Sequence, residues 1–417
     1  MHPFRFLTDF LKFLKMHKKR VLIYSDCDFF AGCENIVNIL LKSKKLNNKY
    51  DLNFFYRFSS EYYYGLKKRG LLELSQISGT FNISNKHTPK NLFIRILKRL
   101  LILFTGPLFF IYNSIVLLVM LLRIKPDIIL INNGGFPGSL NCLILSKLSG
   151  FYTNAKKKIM IINNQIDKNN YIYKIFPYFL KDSLKSLDYI VSGSEHTLSD
   201  YHFKGSSFRY KLKAIPNGIS TDRFAISDIS NRRKKIYQES SILCFGIVGI
   251  FEKRKGHAVL IDAAKKILDF DKNLKFKLFI EGKTDVNLKN MSISYGLNDF
   301  IDFIDAGDNI SSFYSKTDIL VVPSLSNEDM PNVITEAMSF GIPTIGSNIA
   351  GIPRQISSGY NGYLCKPGDT ENLSKIMIKF IHNPEALNSM SLNCVESYNK
   401  DFTPNVCSDE YEKIFEQ

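Results

Sequence analysis

The chain has seven cysteines in 417 residues (Cys27, Cys33, Cys142, Cys244, Cys365, Cys394 and Cys407), an odd number with no CxxC pair. That scatter excludes a disulfide framework and a zinc-finger spacing, and it suits a reducing compartment. Its seven histidines show no ligand spacing either; His196 and His257 read as caps or surface residues near loops. No basic motif is interleaved with aromatic residues, so nucleic acid is not an expected partner. The first twenty residues have neither an unbroken apolar core nor a small-residue cleavage site, which excludes a signal-peptide reading. There is no short-period repeat. What remains is a globular chain that is long for one core, and two domains of roughly 200 residues each are the natural division.

Charge is unevenly placed. Residues 1–220 hold 33 Lys/Arg and 13 Asp/Glu, a net of +20, whereas residues 221–417 hold 22 and 26, a net of −4; the two sums return the chain's +16. A basic half beside a near-neutral one points to an anionic partner surface. Two segments favour anionic lipid. In Met1–Arg20, Leu7, Phe10, Leu11 and Leu14 recur at helical spacing among Lys12, Lys15, Lys18, Lys19 and Arg20, the pattern of an interfacial arm. Packing of that helix on its own domain is the alternative. Leu100–Leu122 runs 23 residues without a charge, long enough to span a bilayer. However, Gly106-Pro107 interrupts it, Asn113-Ser114 lies near its middle, and a core strand follows within a few residues. A span would put two parts of one sheet on opposite sides of the membrane, so a partly buried or interfacial helical hairpin is expected. Its basic flank (Lys86, Lys90, Arg95, Lys98 and Arg99) suits anionic headgroups. The expected location is cytoplasmic, held peripherally at the cytoplasmic face of the membrane through the N-terminal half.

Short apolar runs alternate with longer segments of helical period, the sign of parallel α/β architecture. Strands are expected at Arg20–Ser25, Asn53–Arg57, Asp127–Asn132, Lys158–Ile162, Tyr189–Ser192 and Lys211–Ile215 in the first half. In the second half they are expected at Ile242–Gly249, Lys275–Glu281, Ile301–Ile304, Ile319–Val322 and Thr344–Ser347. The polar stretch Ser227–Ser240 serves as linker. The division is a basic arm over 1–20, a first domain over 21–225, a second over 226–396 and a C-terminal segment, 397–417, returning to the first. Two doubly wound, Rossmann-like domains would face a central cleft at the carboxyl ends of their sheets.

The densest chemistry lies between Pro323 and Pro343. Glu328 and Glu336 flank Pro331, after the apolar run Asp318–Val322 and before Gly341-Ile-Pro343. Proline suits the first turn of a helix, where its missing N–H is not needed. One carboxylate then sits at a helix mouth and the other about one and a half turns inside. A helix N-terminus attracts anions such as a diphosphate, and acids beside it suit sugar hydroxyls, although general acid/base work stays open. After the first strand of the second domain, Gly249 to His257 opens a helix, and Arg254-Lys255 presents two cations to a phosphate. In the first domain, Ala31-Gly-Cys-Glu34 precedes a helix from about Asn35 to Leu46, and Gly32 lets backbone approach a ligand. Asp26-Cys-Asp28 invites a Mg²⁺ reading, but with Arg254 and Lys255 supplying positive charge a metal is redundant.

In this order and spacing the residues resemble the retaining GT-B glycosyltransferases of family 4, the glycosyl transferases group 1, from about residue 20 to the end. The resemblance rests on Ala31-Gly-Cys-Glu34, Pro126-Asp127, Pro216-Asn-Gly-Ile219 with Phe224, and Gly249 to Gly256. Glu328 to Met338 and Asn361-Gly-Tyr-Leu with Pro367-Gly-Asp369 extend it. It implies that Arg254 and Lys255 stabilise the leaving diphosphate without metal. It also implies that Glu328 touches the transferring sugar, that Glu336 takes the ribose hydroxyls, and that amides at Met330, Asn332 and Val333 meet phosphate and sugar. Gly249 and Gly32 join the donor-binding set. The family's chemistry implies retention by front-face departure, with the donor phosphate taking the acceptor's proton. The expected reaction moves a hexose-type sugar from a nucleotide-sugar, UDP-linked by preference, to a lipid-linked or cell-surface polysaccharide acceptor, with no cofactor. A sugar-nucleotide epimerase of the same fold, or a catalytically idle subunit of a glycan assembly complex, is the alternative. Departures from the family's pattern are Ile250 for an arginine, Ser220 for an aspartate, Arg354 for an acid, and Asn163 or Asn164 for a histidine.

Overall fold

Val21-Leu-Ile-Tyr24 is four successive residues with no exposed surface. Such a run reads as a strand covered on both faces, which is how parallel sheets are built. In the computed structural model this run forms β1 (Lys19–Ser25), inside a seven-stranded sheet of order β3-β2-β1-β4-β5-β6-β7. The others are β2 (Tyr50–Tyr56), β3 (Ser75–Ile77), β4 (Ile128–Phe136), β5 (Lys157–Ile166), β6 (Tyr189–Ser192) and β7 (Lys211–Ala214). Registers from β3 to β6 are all parallel. A second sheet, β10-β9-β8-β11-β12-β13, contains β8 (Leu243–Val248), β9 (Phe276–Glu281), β10 (Ile301–Ile304), β11 (Ile319–Val322), β12 (Thr344–Ser347) and β13 (Gly362–Cys365). It too is parallel throughout. This is the α/β architecture expected, and every expected strand is present. β3 and β13 were not expected. Both are edge strands of three or four residues.

The structure describes residues 18–30, 32–81, 92–152, 154–167, 173–174, 177–202, 210–220, 242–282, 285–305, 310–326 and 328–417, with side chains in the first long helix from 104 onward. The arm up to residue 17, Ala31, Phe224 and the linker 227–240 lie outside the described residues. The chain divides into two units. The first comprises 1–191, 200–213 and 410–417, and the second 192–199 and 214–409. The changes of unit near the linker and the C-terminus thus fall at 213/214 and 409/410, against expected positions of 225/226 and 396/397. In the first unit, the C-terminal residues are tied by Glu412 to Lys45 and Lys49, and by the Tyr189 hydroxyl, which donates to Gln417 at 2.7 Å.

The expected helix of the first βα unit is broken. α1 (Glu34–Lys42) ends at Ser43, whose side chain caps a second short helix, Lys44–Lys49. The apolar hairpin expected over 100–122 is instead one helix, α2 (Leu92–Ile124), with Pro107 inside it. Its polar pair does not break the helix because both side chains are satisfied. The Ser114 hydroxyl bonds back to the Phe110 carbonyl at 2.7 Å. Asn113, fully buried, accepts from the Phe81 amide at 3.0 Å and donates to the Phe81 carbonyl at 2.9 Å and to Asn141 at 2.8 Å. Asn141 belongs to α3 (Leu140–Phe151), on which α2 packs. Asn113→Ala strips partners from the Phe81 amide and carbonyl and from the buried Asn141 side chain. It is expected to cost the first unit roughly 2–4 kcal/mol, read as a fall in its thermal unfolding midpoint.

Candidate functional site

β8 ends at Val248, and the chain turns through Gly249, whose φ of 151° lies outside the range of side-chain-bearing residues. A 3₁₀ turn, Lys253–Lys255, then leads into α4 (His257–Phe270) through Gly256. Gly256 has φ +75°, and a Cβ there would sit 2.0 Å from the Pro323 carbonyl oxygen. That close approach lays the turn against the loop after β11, and the Leu325 amide donates to the Arg254 carbonyl at 2.7 Å. The two basic side chains thereby meet the first acid. Lys255 Nζ lies 2.5 Å from Glu328 Oε1, Arg254 Nη1 lies 3.4 Å from the same oxygen, and the Ser324 hydroxyl donates to it at 3.0 Å. Arg254 Nε also reaches Glu252 at 2.5 Å. Glu328 is 6% exposed, so this is a largely buried pair whose cations keep solvent access.

Pro331 stands at the N-cap of α5 (Asn332–Ser339), one position earlier than a first-turn proline, with φ −60°. Met330 is buried, while Asn332 and Val333 form the first turn. Glu336, one turn on, is buried and accepts from the Tyr314 hydroxyl at 2.7 Å. Tyr314 carried no signal in the sequence, because a tyrosine at helical spacing reads as core. The neighbouring Asp329 was missed as well. It is buried and accepts from the Ser192, Ser194 and Thr197 hydroxyls at 3.1, 2.6 and 2.7 Å and from the Gly193 amide at 2.9 Å. Burial raises its pKa, against the pull of those donors.

Gly249, Arg254, Lys255, Glu328, Met330, Asn332, Val333 and Glu336 thus belong to the second unit. Gly32 belongs to the first, where its carbonyl accepts from the Asn35 amide at 3.2 Å just before α1. Around it the β1–α1 turn brings together Cys27, Cys33 and Glu34, whose ligand atoms lie within 4.8 Å of one another. No spacing rule joins positions 27 and 33, so the sequence gave no sign of this group. Hydrogen bonding to Cys33 and burial raise the Cys27 thiol's pKa well, and burial raises Glu34 to about 7. Asp26 and Asp28, weighed above as a Mg²⁺ pair, both bind the buried Arg57 guanidinium. At the end of β5, Asn164 donates to the Gly134 carbonyl at 3.2 Å, whereas neither amide atom of half-buried Asn163 meets a protein partner.

His257, expected near the surface, is 4% exposed and edge-on to Phe251, with ring centroids 4.8 Å apart. Burial, and then Lys255, lower its pKa from 6.5 to about 4. The folded state therefore refuses a proton that the unfolded chain takes up below about pH 6.5. Its contribution to stability is full above that pH and is lost as pH falls toward 4. Urea titrations of the second unit should show this acid limb flattened by ~3 kcal/mol in His257→Gln relative to the unsubstituted chain.

Residues 228–394 match the family model described as Glycosyl transferases group 1. An uncharacterised glycosyltransferase of Methanocaldococcus jannaschii is 27% identical over 288 residues, which is 68% of this chain and 73% of that protein. The UDP-Gal:alpha-D-GlcNAc-diphosphoundecaprenol alpha-1,3-galactosyltransferase of Escherichia coli is 28% identical over 198 residues, 44% of this chain. The chain spans about half, 48%, of the length of that enzyme. Among solved structures, Anabaena HepE in complex with UDP superposes with a TM-score of 0.70 at 14% identity, covering 95% of this chain and 99% of HepE. At that identity the likeness speaks for the fold, which is the GT-B fold.

Proposed function

We propose that this chain, a glycosyltransferase belonging to the glycosyl transferases group 1 through residues 228–394, transfers a hexose-type sugar from a UDP-linked donor with retention. The acceptor in this reading is lipid-linked or a cell-surface polysaccharide precursor. The observation that carries it is the buried carboxylate of Glu328 held by Lys255 and Arg254 beside the mouth of α5. A donor diphosphate entering there would meet two cations and the amides of the first turn. The developing charge on the leaving group would be stabilised by fixed groups rather than by reorganising water. Released from part of its pairing, Glu328 would accept hydroxyls of the transferring sugar. Glu336, already oriented by Tyr314, would accept the ribose hydroxyls. With both carboxylates so engaged, the proton leaving the acceptor passes to the donor phosphate.

The charge of Arg254 and Lys255 does the work a divalent ion would do, so this reading is metal-independent. HepE's complex with UDP and the E. coli relative's UDP-galactose chemistry support the choice of nucleotide. The E. coli relative's diphosphoundecaprenol substrate supports a lipid-linked acceptor.

Thermal shift against a set of sugar nucleotides should single out the donor, which stabilises the fold by mass action. With that donor and a membrane extract, Glu328→Ala should lower the rate of nucleotide release by ~100-fold or more. Unchanged release in that variant overturns the reading. Glu336→Ala should instead raise KM for the donor by ~10–100-fold, the worth of one or two hydrogen bonds to a charged group, with a smaller effect on kcat. A chelator should leave the rate of the unsubstituted enzyme unchanged.

A further inference from the structure

α2 has two unlike faces. Leu117, Met120 and Leu121 are buried together with Asn113. On the other face Phe104, Leu108, Ile111, Ile115, Val119 and Leu122 recur at steps of four, three, four, four and three, and each is between 54% and 75% exposed. Eighteen residues separate the first from the last, giving a stripe ~27 Å long at the rise of an α-helix. Singly exposed apolar side chains are ordinary, but a continuous stripe of six marks a surface that something covers.

The charge around the stripe says what covers it. Residues 74–126 contain seven Lys/Arg (Lys86, Lys90, Arg95, Lys98, Arg99, Arg123 and Lys125) and no Asp or Glu. Five of these lie at or before the first turns of α2. Cations there oppose the helix dipole, a cost that an external anion would offset. A second copy of this chain would bring the same acid-free run of seven cations. The chain's own residues 1–20 would bring six Lys/Arg against one acid. Both are repelled where an anionic lipid surface is attracted.

We infer that α2 is a monotopic anchor, lying in the plane of an anionic bilayer with the Phe104–Leu122 stripe sunk among the acyl chains, drawn there by the basic, acid-free sequence that flanks it. Phe104–Ile124 is long and apolar enough to cross a membrane. It does not cross, because Asn113 is fastened to Phe81 and Asn141 on the side facing the first unit, and a crossing helix would lose those bonds. An amphipathic helix sinks only to the headgroup–acyl boundary and leaves its other face free to pack on protein. This inference stands on the first unit alone and needs nothing from the donor site.

Flotation of the full chain with vesicles tests it. The chain should float with phosphatidylcholine vesicles containing about one third phosphatidylglycerol, float poorly with pure phosphatidylcholine, and be released by high salt. Ile111→Glu with Ile115→Glu changes two exposed side chains, so the melting temperature and the thermal shift by nucleotide should be unchanged. Partitioning onto anionic vesicles should fall by at least ~10-fold. Four results would each overturn the inference. One is undiminished flotation of that double variant. Another is a lipid-free dimer that the double variant turns into a monomer while flotation stays intact. The third is wild-type protein that resists alkaline carbonate extraction, which would make α2 a span. Removal of residues 1–17 should leave binding dependent on Ile111 and Ile115; if it abolishes binding outright, the arm is the anchor and α2 is not.

Discussion

A carboxylate deprived of water needs hydrogen-bond donors, and the loop after β11 in the second unit is organised by meeting that need. Asp329 is enclosed by three hydroxyls and one amide from Ser192–Thr197. Burying an unpaired carboxylate costs several kcal/mol, while each charge-assisted hydrogen bond returns roughly 1.5–3. Four of them suffice only if the loop holds one position. Glu328, the preceding residue, is thereby delivered to Lys255 and Arg254, and the bond from Leu325 to the Arg254 carbonyl fixes the other side. The geometry of the Lys253–Lys255 turn and of the mouth of α5 therefore depends on a carboxylate whose own partners lie in Ser192–Thr197.

Strand positions along the chain were legible because parallel strands buried on both faces read as plain apolar runs, as in Val21–Tyr24 and Ile319–Val322. The order of the strands within each sheet, and β3 and β13, were not read from the sequence. In the candidate site, Arg254, Lys255, Glu328 and Glu336 were legible from residue type and from their place after β8 and β11. Their partners were not. Tyr314, Ser324 and the Ser192–Thr197 segment reach the acids through the fold, and no local spacing announces them. The same holds for Cys27 and Cys33, six positions apart and joined only by the turn before α1. His257 failed for a different reason: a polar residue after a glycine reads as exposed, and only the packing of Phe251 shows otherwise.

α2 shows the limit of composition. Gly106-Pro107 and Asn113-Ser114 are the residues that end a helix on propensity alone, yet the helix continues because each polar group found a bond within reach. Apolar content along the segment says how much surface must leave water. It does not say which side. The pinning of Asn113 separates the face that the first unit covers from the face it leaves outside.

The division of the chain has a consequence for its gene. The backbone passes from one unit to the other at 191/192, 199/200, 213/214 and 409/410, four times in all. Neither unit is a contiguous reading frame, so neither can be lost or exchanged by a single crossover or freed by a single protease cut. A deletion that removes the last eight residues takes material from the first unit, although every residue just before it belongs to the second.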